Sequence, residues 1–319
     1  MMGDTIIENS KSEKYLGDQI HEGGCAASIS ATIDSRIHTA IERGNTILAI
    51  CNQPSLLGHT IAIGPVEQFE SKVSSKMLSN SDSWIGITKE HIETLQSVQD
   101  NYFMKVFQVA DKGTPVCMVR LDSQTLQVKW QILLKKIKQV RKTMDKDEEN
   151  ICKKVLIAGQ QTCDGGDLLN ECITWCKTLK IRCVTRGTDP VLERAQADNY
   201  KLKKGLWAEN DKEIRTALDK LKKVKYIDMP KTKRERNYLK EMTLANARLW
   251  FRYRCQIIDH IKGNKSSVWR NNMACRLCTS GEDETQDHLE RCSFTKEMRG
   301  NLNLTIREDK IVVWRRITR

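Results

Sequence analysis

Near its C-terminus the chain reads Cys275-Arg-Leu-Cys278, then nine residues, then His288-Leu-Glu-Arg-Cys292. A Cys-x2-Cys turn delivers two thiolates from one tight loop, and a helical His-x3-Cys turn delivers an imidazole and a thiolate from one face. Four N/S ligands at this spacing fill a tetrahedral zinc shell and leave no open position. The motif therefore predicts one structural zinc held by Cys275, Cys278, His288 and Cys292. It also dictates local shape, because loop and helix must converge on a single point.

The rest of the chain sets the frame for that module. Its 319 residues suffice for one large domain or two ordinary ones. Aromatic residues make up only 6% and charged residues 29%, which suits a helical protein with modest cores better than a β-rich enzyme. The N-terminus lacks a basic segment followed by a long apolar one, so no signal peptide is expected. No run of apolar residues is long enough to span a membrane. The expected location is intracellular, in nucleus or cytoplasm. Of the twelve cysteines, nine lie outside the metal motif, and they read as free thiols of a reducing compartment. Cys172 and Cys176, four apart on one helix face, are expected in a core.

Charge is unevenly distributed. Residues 1–110 carry 8 Lys/Arg against 13 Asp/Glu, whereas residues 111–319 carry 45 against 28. The first third is acidic, and the remainder holds the whole basic excess behind the net charge of +12. A field of that sign and size favours a polyanion, since neutralising phosphates releases condensed counterions.

Apolar periodicity predicts a mainly α protein. Ile6-Ile7 and Tyr15-Leu16 around Gly17-Asp18 suit a short hairpin. Ile29, Ile33, Ile37, Ile41 and Leu48 recur at helical spacing, and Pro54 ends that run. Gly58, Gly64 and Pro65 break the chain again before Val66, Phe69, Val73 and Met77 resume a stripe. Thr88 is the expected N-cap of a helix carrying Leu95, Val98, Tyr102 and Val106. In the following helix Trp130, Leu133, Ile137 and Val140 form one face, and Lys135, Lys136, Lys138, Arg141 and Lys142 fall mostly on the other. A charged linker at 145–150 marks a boundary. A final long helix, about 236–260, leads into the zinc module. The expected segments are a hairpin over 1–25, a helical bundle over 26–144, a charged helical linker over 145–235, the Arg/aromatic helix with the zinc module over 236–300, and a basic tail over 301–319.

Four stretches carry a family resemblance: Lys14-Tyr15-Leu16-Gly17-Asp18, Asn80-Ser-Asp-Ser-Trp84-Ile-Gly-Ile-Thr88, Ala247-Arg248-Leu-Trp-Phe251-Arg252-Tyr-Arg254, and Gly281-Glu-Asp-Glu-Thr-Gln-Asp-His288. Their order and spacing resemble the C-terminal part of non-LTR (LINE-type) retrotransposon reverse transcriptases. The resemblance implies a hairpin that ends the palm, a helical thumb, a helical linker and a Cys-Cys-His-Cys zinc element. It also implies RNA or DNA as partners, and the remainder of a reverse transcriptase as a partner in trans. Polymerisation needs palm carboxylates to hold two metals, in a Tyr-x-Asp-Asp loop upstream of the hairpin. No Tyr-x-Asp-Asp occurs in this sequence, and only thirteen residues precede Lys14. The chain is therefore expected to be no enzyme on its own.

The zinc loop itself is acidic, with Glu282, Asp283, Glu284, Asp287 and Glu290 against Arg276 and Arg291. Contacts to nucleic acid are expected instead from Arg248, Arg252, Arg254, Lys262, Lys265 and Arg270, which have Trp250, Phe251, Tyr253 and Trp269 as aromatic neighbours. Lys135, Lys136, Lys138, Arg141, Lys142, Lys220, Lys222, Lys223 and Lys225 would add salt-sensitive affinity. A zinc-stabilised protein-interaction module and a degraded retrotransposon copy without function are the competing readings.

Overall fold

The computed structural model describes residues 12–15, 18–21, 25–84, 86–109, 114–162, 168–178, 195–221, 238–255, 274–275, 277–278, 280–283, 286–300, 309–312 and 314. Among them the protein is mainly α-helical, with one two-stranded antiparallel hairpin, β1 (Ser12–Tyr15) and β2 (Asp18–His21). The strands are joined through residues 16 and 17, and the register pairs Tyr15 with Asp18 and Ser12 with His21. No helix among the described residues is long and apolar enough to cross a membrane.

Helix α1 (Cys25–Cys51) is the amphipathic helix its isoleucine spacing predicts: Ile29, Ile33 and Leu48 are buried, whereas Ile41 is 44% exposed. Pro54 opens the short α2 (Pro54–Leu57) as its first residue, where a missing N–H costs nothing. Pro65 does not interrupt the next helix either. It lies in the first turn of α3 (Ile63–Gln68), whose path continues through a π-helical turn (Phe69–Ser74) into α4 (Ser75–Met77). Val66, Phe69, Val73 and Met77 are all buried along that path. Asn80, in the left-handed region at φ 58°, turns the chain into a single 3₁₀ turn, Ser81–Ser83.

Helix α5 (Lys89–Val106) begins with a reciprocal cap. The His91 N–H donates to Thr88 Oγ1 at 3.2 Å, and the Thr88 N–H donates to His91 Nδ1 at 3.3 Å. This is a capping box with histidine in the place of glutamate. Helices α6 (Val116–Ser123), α7 (Val128–Met144), α8 (Ile151–Thr162), α9 (Leu168–Thr178) and α10 (Ala195–Asp219) follow.

The long helix expected over 236–260 is broken into α11 (Tyr238–Glu241) and α12 (Leu244–Arg254). The break has a tertiary cause. The Ala62 N–H donates to the Met242 carbonyl at 2.9 Å, and the Leu244 N–H donates to the Thr60 carbonyl at 2.7 Å. Residues 256–260 lie outside the described residues. Short helices α13 (Gln286–Arg291) and α14 (Lys296–Arg299) complete the order.

Two compact units each draw on three stretches of chain: residues 1–45, 69–99 and 125–213 in the first, and 46–68, 100–124 and 214–319 in the second. In the first, the hairpin is tied to α1 and the 80s turn through Asp18. Its carboxylate accepts from Arg36 at 2.9 Å and from Asn80 at 3.1 Å. The core of this unit joins Trp130, Leu133, Ile137 and Val140 of α7 to Cys172 and Cys176 of α9 and Leu202 and Leu206 of α10. Residue 145 is thus no packing boundary, because helices on both sides of it share one core. The start of α7 is capped by distant side chains, with the Val128 N–H donating to Gln96 at 2.8 Å and the Gln127 N–H to Asn210 at 3.0 Å.

Candidate metal centre

In the second unit, Cys275, Cys278, His288 and Cys292 bring their ligand atoms within 4.8 Å of one another. Local hydrogen bonding explains the convergence. The Cys275 N–H donates to the Glu282 carbonyl at 2.8 Å, and an isolated bridge pairs Ala274 with Asp283, so the loop folds back on itself. Gly281 takes φ +74°, a conformation that would strain any side chain. On α13 and the turn that follows, the Cys292 N–H donates to the His288 carbonyl at 2.6 Å, which fixes the His-x3-Cys pair. The Thr295 hydroxyl then donates to the Leu289 and Cys292 carbonyls at 2.7 and 3.0 Å.

The distances fit one ion. Cys275 Sγ lies 3.9 Å from Cys292 Sγ, and Cys278 Sγ lies 3.3 Å from His288 Nε2. Metal–thiolate bonds of about 2.3 Å and a metal–imidazole bond of about 2.0 Å give tetrahedral edges of roughly 3.8 and 3.5 Å. His288 turns Nε2 toward the thiols while Nδ1 donates to Glu282 Oε2 at 3.1 Å; a carboxylate only accepts, which sets the tautomer. Such an outer carboxylate orients a metal-binding imidazole and raises its basicity. Arg291 pairs with the same oxygen at 3.3 Å. The Ser280 hydroxyl and N–H, with smaller help from Cys292 and His288, pull the Cys278 thiol down to about 6, so it is ready to bind as thiolate. Burial pushes Cys275 up to about 11, a preference for the thiol that a bound cation would reverse.

Glu290 fastens this module to α12. Its carboxylate accepts from the Tyr253 hydroxyl at 2.6 Å and from Trp314 Nε1 at 3.4 Å. Tyr253 stacks on Trp250 with ring centroids 5.3 Å apart, and Lys310 sits 5.2 Å over the Tyr253 ring. The Arg/aromatic helix and the metal loop are therefore joined directly.

The cations expected to meet phosphate divide sharply. Arg254 is buried and donates from Nη1 to both oxygens of Asp122, at 3.2 and 3.0 Å. Asp122 is itself 0% exposed and accepts from the Tyr238 hydroxyl at 2.7 Å. Burial first, and the Asp122 charge second, push the Tyr238 phenol well above its ordinary range, so it stays a donor. Arg248 is 2% exposed and donates from Nε to the Val106 carbonyl and from Nη2 to Asn52 Oδ1, each at 2.6 Å. Burial brings its pKa down to about 10, which leaves it charged at neutral pH.

Arg248 and Arg254 are thus packing residues rather than phosphate contacts. Lys136 is 1% exposed and pairs with Glu171 at 2.7 Å, while Arg141 is buried. Lys135 is half-buried and donates to the Leu78 carbonyl. The reading of α7 as an open cationic face is corrected accordingly. Lys138, Lys142 and Lys220 are exposed, and Arg252 is half-exposed. Lys262, Lys265, Arg270, Lys222, Lys223 and Lys225 lie outside the described residues.

Sequence reasoning overlooked Asp122, Glu171 and Tyr238, and took Glu282 only as one acid of the loop, not as the partner of His288. Asp122 left a trace, as the one acid in the Val116–Ser123 segment. No family model matches the chain, and no match was found among curated proteins or solved structures.

Proposed function

We propose that this protein is a metal-stabilised nucleic-acid-binding protein in the manner of the thumb-to-zinc part of a LINE-type reverse transcriptase, with no polymerase activity of its own. One observation carries the reading. The two stretches most specific to the resemblance, the Arg-x-Arg helix and the Cys/His loop, are fastened to each other through Tyr253 and Glu290. Three thiols and one imidazole at tetrahedral spacing favour zinc over harder or octahedral ions. The ion's role is structural, since all four positions are filled by protein.

The partner is RNA or DNA, engaged chiefly through exposed lysines. Lys138 and Lys142 stand one turn apart on α7, and Lys220 follows α10. Such contacts are independent of sequence and weaken with salt. Chemistry on the bound strand would need palm carboxylates that these 319 residues do not carry.

The test is binding of the purified, zinc-loaded chain to structured RNA and duplex DNA across a salt series, with and without a chelator. Affinity that falls steeply with salt and drops on metal removal is the expected result. A folded, zinc-loaded chain that binds neither at low salt sinks the reading. It would then favour a protein-interaction module, for which Ile151 and Val155, 73% and 64% exposed one turn apart on α8, are the supporting observation.

A further inference from the structure

The chain contains five phenylalanines, and four of them are core residues: Phe69 and Phe251 are 0% exposed, Phe103 and Phe107 1%. Phe294 is different, at 53% exposed. A single exposed apolar side chain is unremarkable on a protein surface. What sets this one apart is where it sits. It follows the last metal ligand by two residues, in a turn that leaves its backbone little freedom.

That turn is held from several sides. Thr295, whose side chain is fully buried, donates to the Leu289 carbonyl of α13 and to the Cys292 carbonyl just after it. Arg299 Nη1 donates to the Cys292 carbonyl at 3.1 Å and the Leu289 carbonyl at 3.4 Å. The inner side of α13 is occupied, because Glu290 faces Tyr253 and Trp314. Arg291, Ser293, Phe294 and Lys296 are exposed. Among the described residues Lys296 has no acidic partner, while Arg291 is paired with Glu282. The result is a solvent-facing ring on a held turn, with an exposed lysine two residues away.

We infer that Phe294 is a stacking platform for an unpaired base of a single-stranded nucleic acid, with Lys296 placed to meet the adjoining phosphate. This inference rests on the nucleic-acid reading above and makes it specific. An aromatic face takes any base, and one stacked base is worth enough to read out in affinity. The acidic loop disfavours a duplex, whose two backbones would bring a dense phosphate array against Glu282 and Asp283. A lone base needs only one adjoining phosphate, which Lys296 is placed to meet.

The experiment uses the full, zinc-loaded chain with a fluorescent oligouridylate and a duplex RNA of equal length, at one fixed salt concentration. Phe294→Ala and Phe294→Leu are expected to weaken single-strand binding about ten- to a hundredfold. Phe294→Trp retains it, and duplex binding is unchanged in all three. Leucine preserves apolar bulk, so it separates stacking from packing should the alanine variant fold poorly. Metal content and helical circular dichroism check the fold of each. Wild-type-like single-strand binding by Phe294→Leu, or an equal fall for strand and duplex, overturns the inference while the nucleic-acid reading stands. Failure of the wild type to bind either RNA overturns both and leaves Phe294 to a protein partner.

Discussion

Asp122 joins Arg254 and Tyr238 in the interior of the second unit, and its replacement discriminates between two roles for Arg254. The carboxylate is 0% exposed, and Arg254 beside it 2%. Truncation to alanine leaves a guanidinium without its counter-ion and a tyrosine hydroxyl without its acceptor. Breaking a buried pair in this way costs about 3–5 kcal/mol, and the orphaned hydroxyl adds part of a further 1–3 kcal/mol. The two terms overlap, so about 4 kcal/mol is expected for Asp122→Ala. Asp122→Asn, which keeps one acceptor but not the charge, should lose about 3 kcal/mol. Against a typical total of roughly 5–15 kcal/mol these are large effects.

The measurement is urea unfolding of the metal-loaded chain followed by helical circular dichroism, on Asp122→Asn, Arg254→Met and Asp122→Leu with Arg254→Met. The double variant removes both charges together and should be far more stable than the sum of the single effects implies. RNA binding by the folded Arg254→Met protein should equal that of the wild type. The reasoning fails if Asp122→Asn lies within about 1 kcal/mol of the wild type. It also fails if Arg254→Met abolishes RNA binding at unchanged stability.

Three further outcomes are expected. Glu282→Ala should weaken metal binding about 10- to 100-fold in a competition titration with a chromophoric chelator, because His288 loses the group that orients it; undiminished affinity would deny Glu282 that role. In the metal-free protein, alkylation of Cys278 should rise with pH through about 6, well ahead of Cys275, which burial holds at about 11. The depressed value means that the thiolate's contribution to the loop is complete above pH 9 and lost as pH falls through about 6; equal labelling of both thiols at neutral pH contradicts this. Replacing Lys138 and Lys142 by glutamate should lower RNA affinity at low salt and flatten the salt dependence, by about 0.9 in log–log slope for each phosphate no longer neutralised. An unchanged slope would place the RNA on other lysines.

What the sequence disclosed was local. The metal ligands follow from spacing because a Cys-x2-Cys loop and a His-x3-Cys helical turn each fix two ligands within a few residues. Helices α1, α5 and α7 follow from their stripes, and Thr88 from its place before one. The misreadings share a different origin. The helix expected over 236–260 breaks at Met242-Thr243 because residues 60–62 bond to that stretch, a partner nothing nearby announces. The buried Lys136 pairs with Glu171, and the buried Arg254 with Asp122, 132 residues away in the chain. Long-range polar partners leave no periodicity, so a buried cation and a solvated one look alike in a linear sequence.

That ambiguity bears on function as well as fold. The basic excess beyond residue 110 suggests a continuous cationic surface only if every Lys and Arg faces solvent. In the folded chain one population of cations is interior: Lys136, Arg141, Arg248 and Arg254 are buried, and Lys136, Arg248 and Arg254 bond to other elements. The other, including Lys138, Lys142, Lys220 and Lys296, is exposed. Only the second can release counterions from a polyanion, so the salt dependence of binding should reflect far fewer neutralised phosphates than the net charge suggests. The arginines of α12 then acquire a different purpose. They fix the helix that carries Tyr253, Tyr253 holds Glu290, and Glu290 belongs to the helix that presents His288. The most basic aromatic segment of the sequence thus gives the metal loop and the turn that bears Phe294 a fixed place.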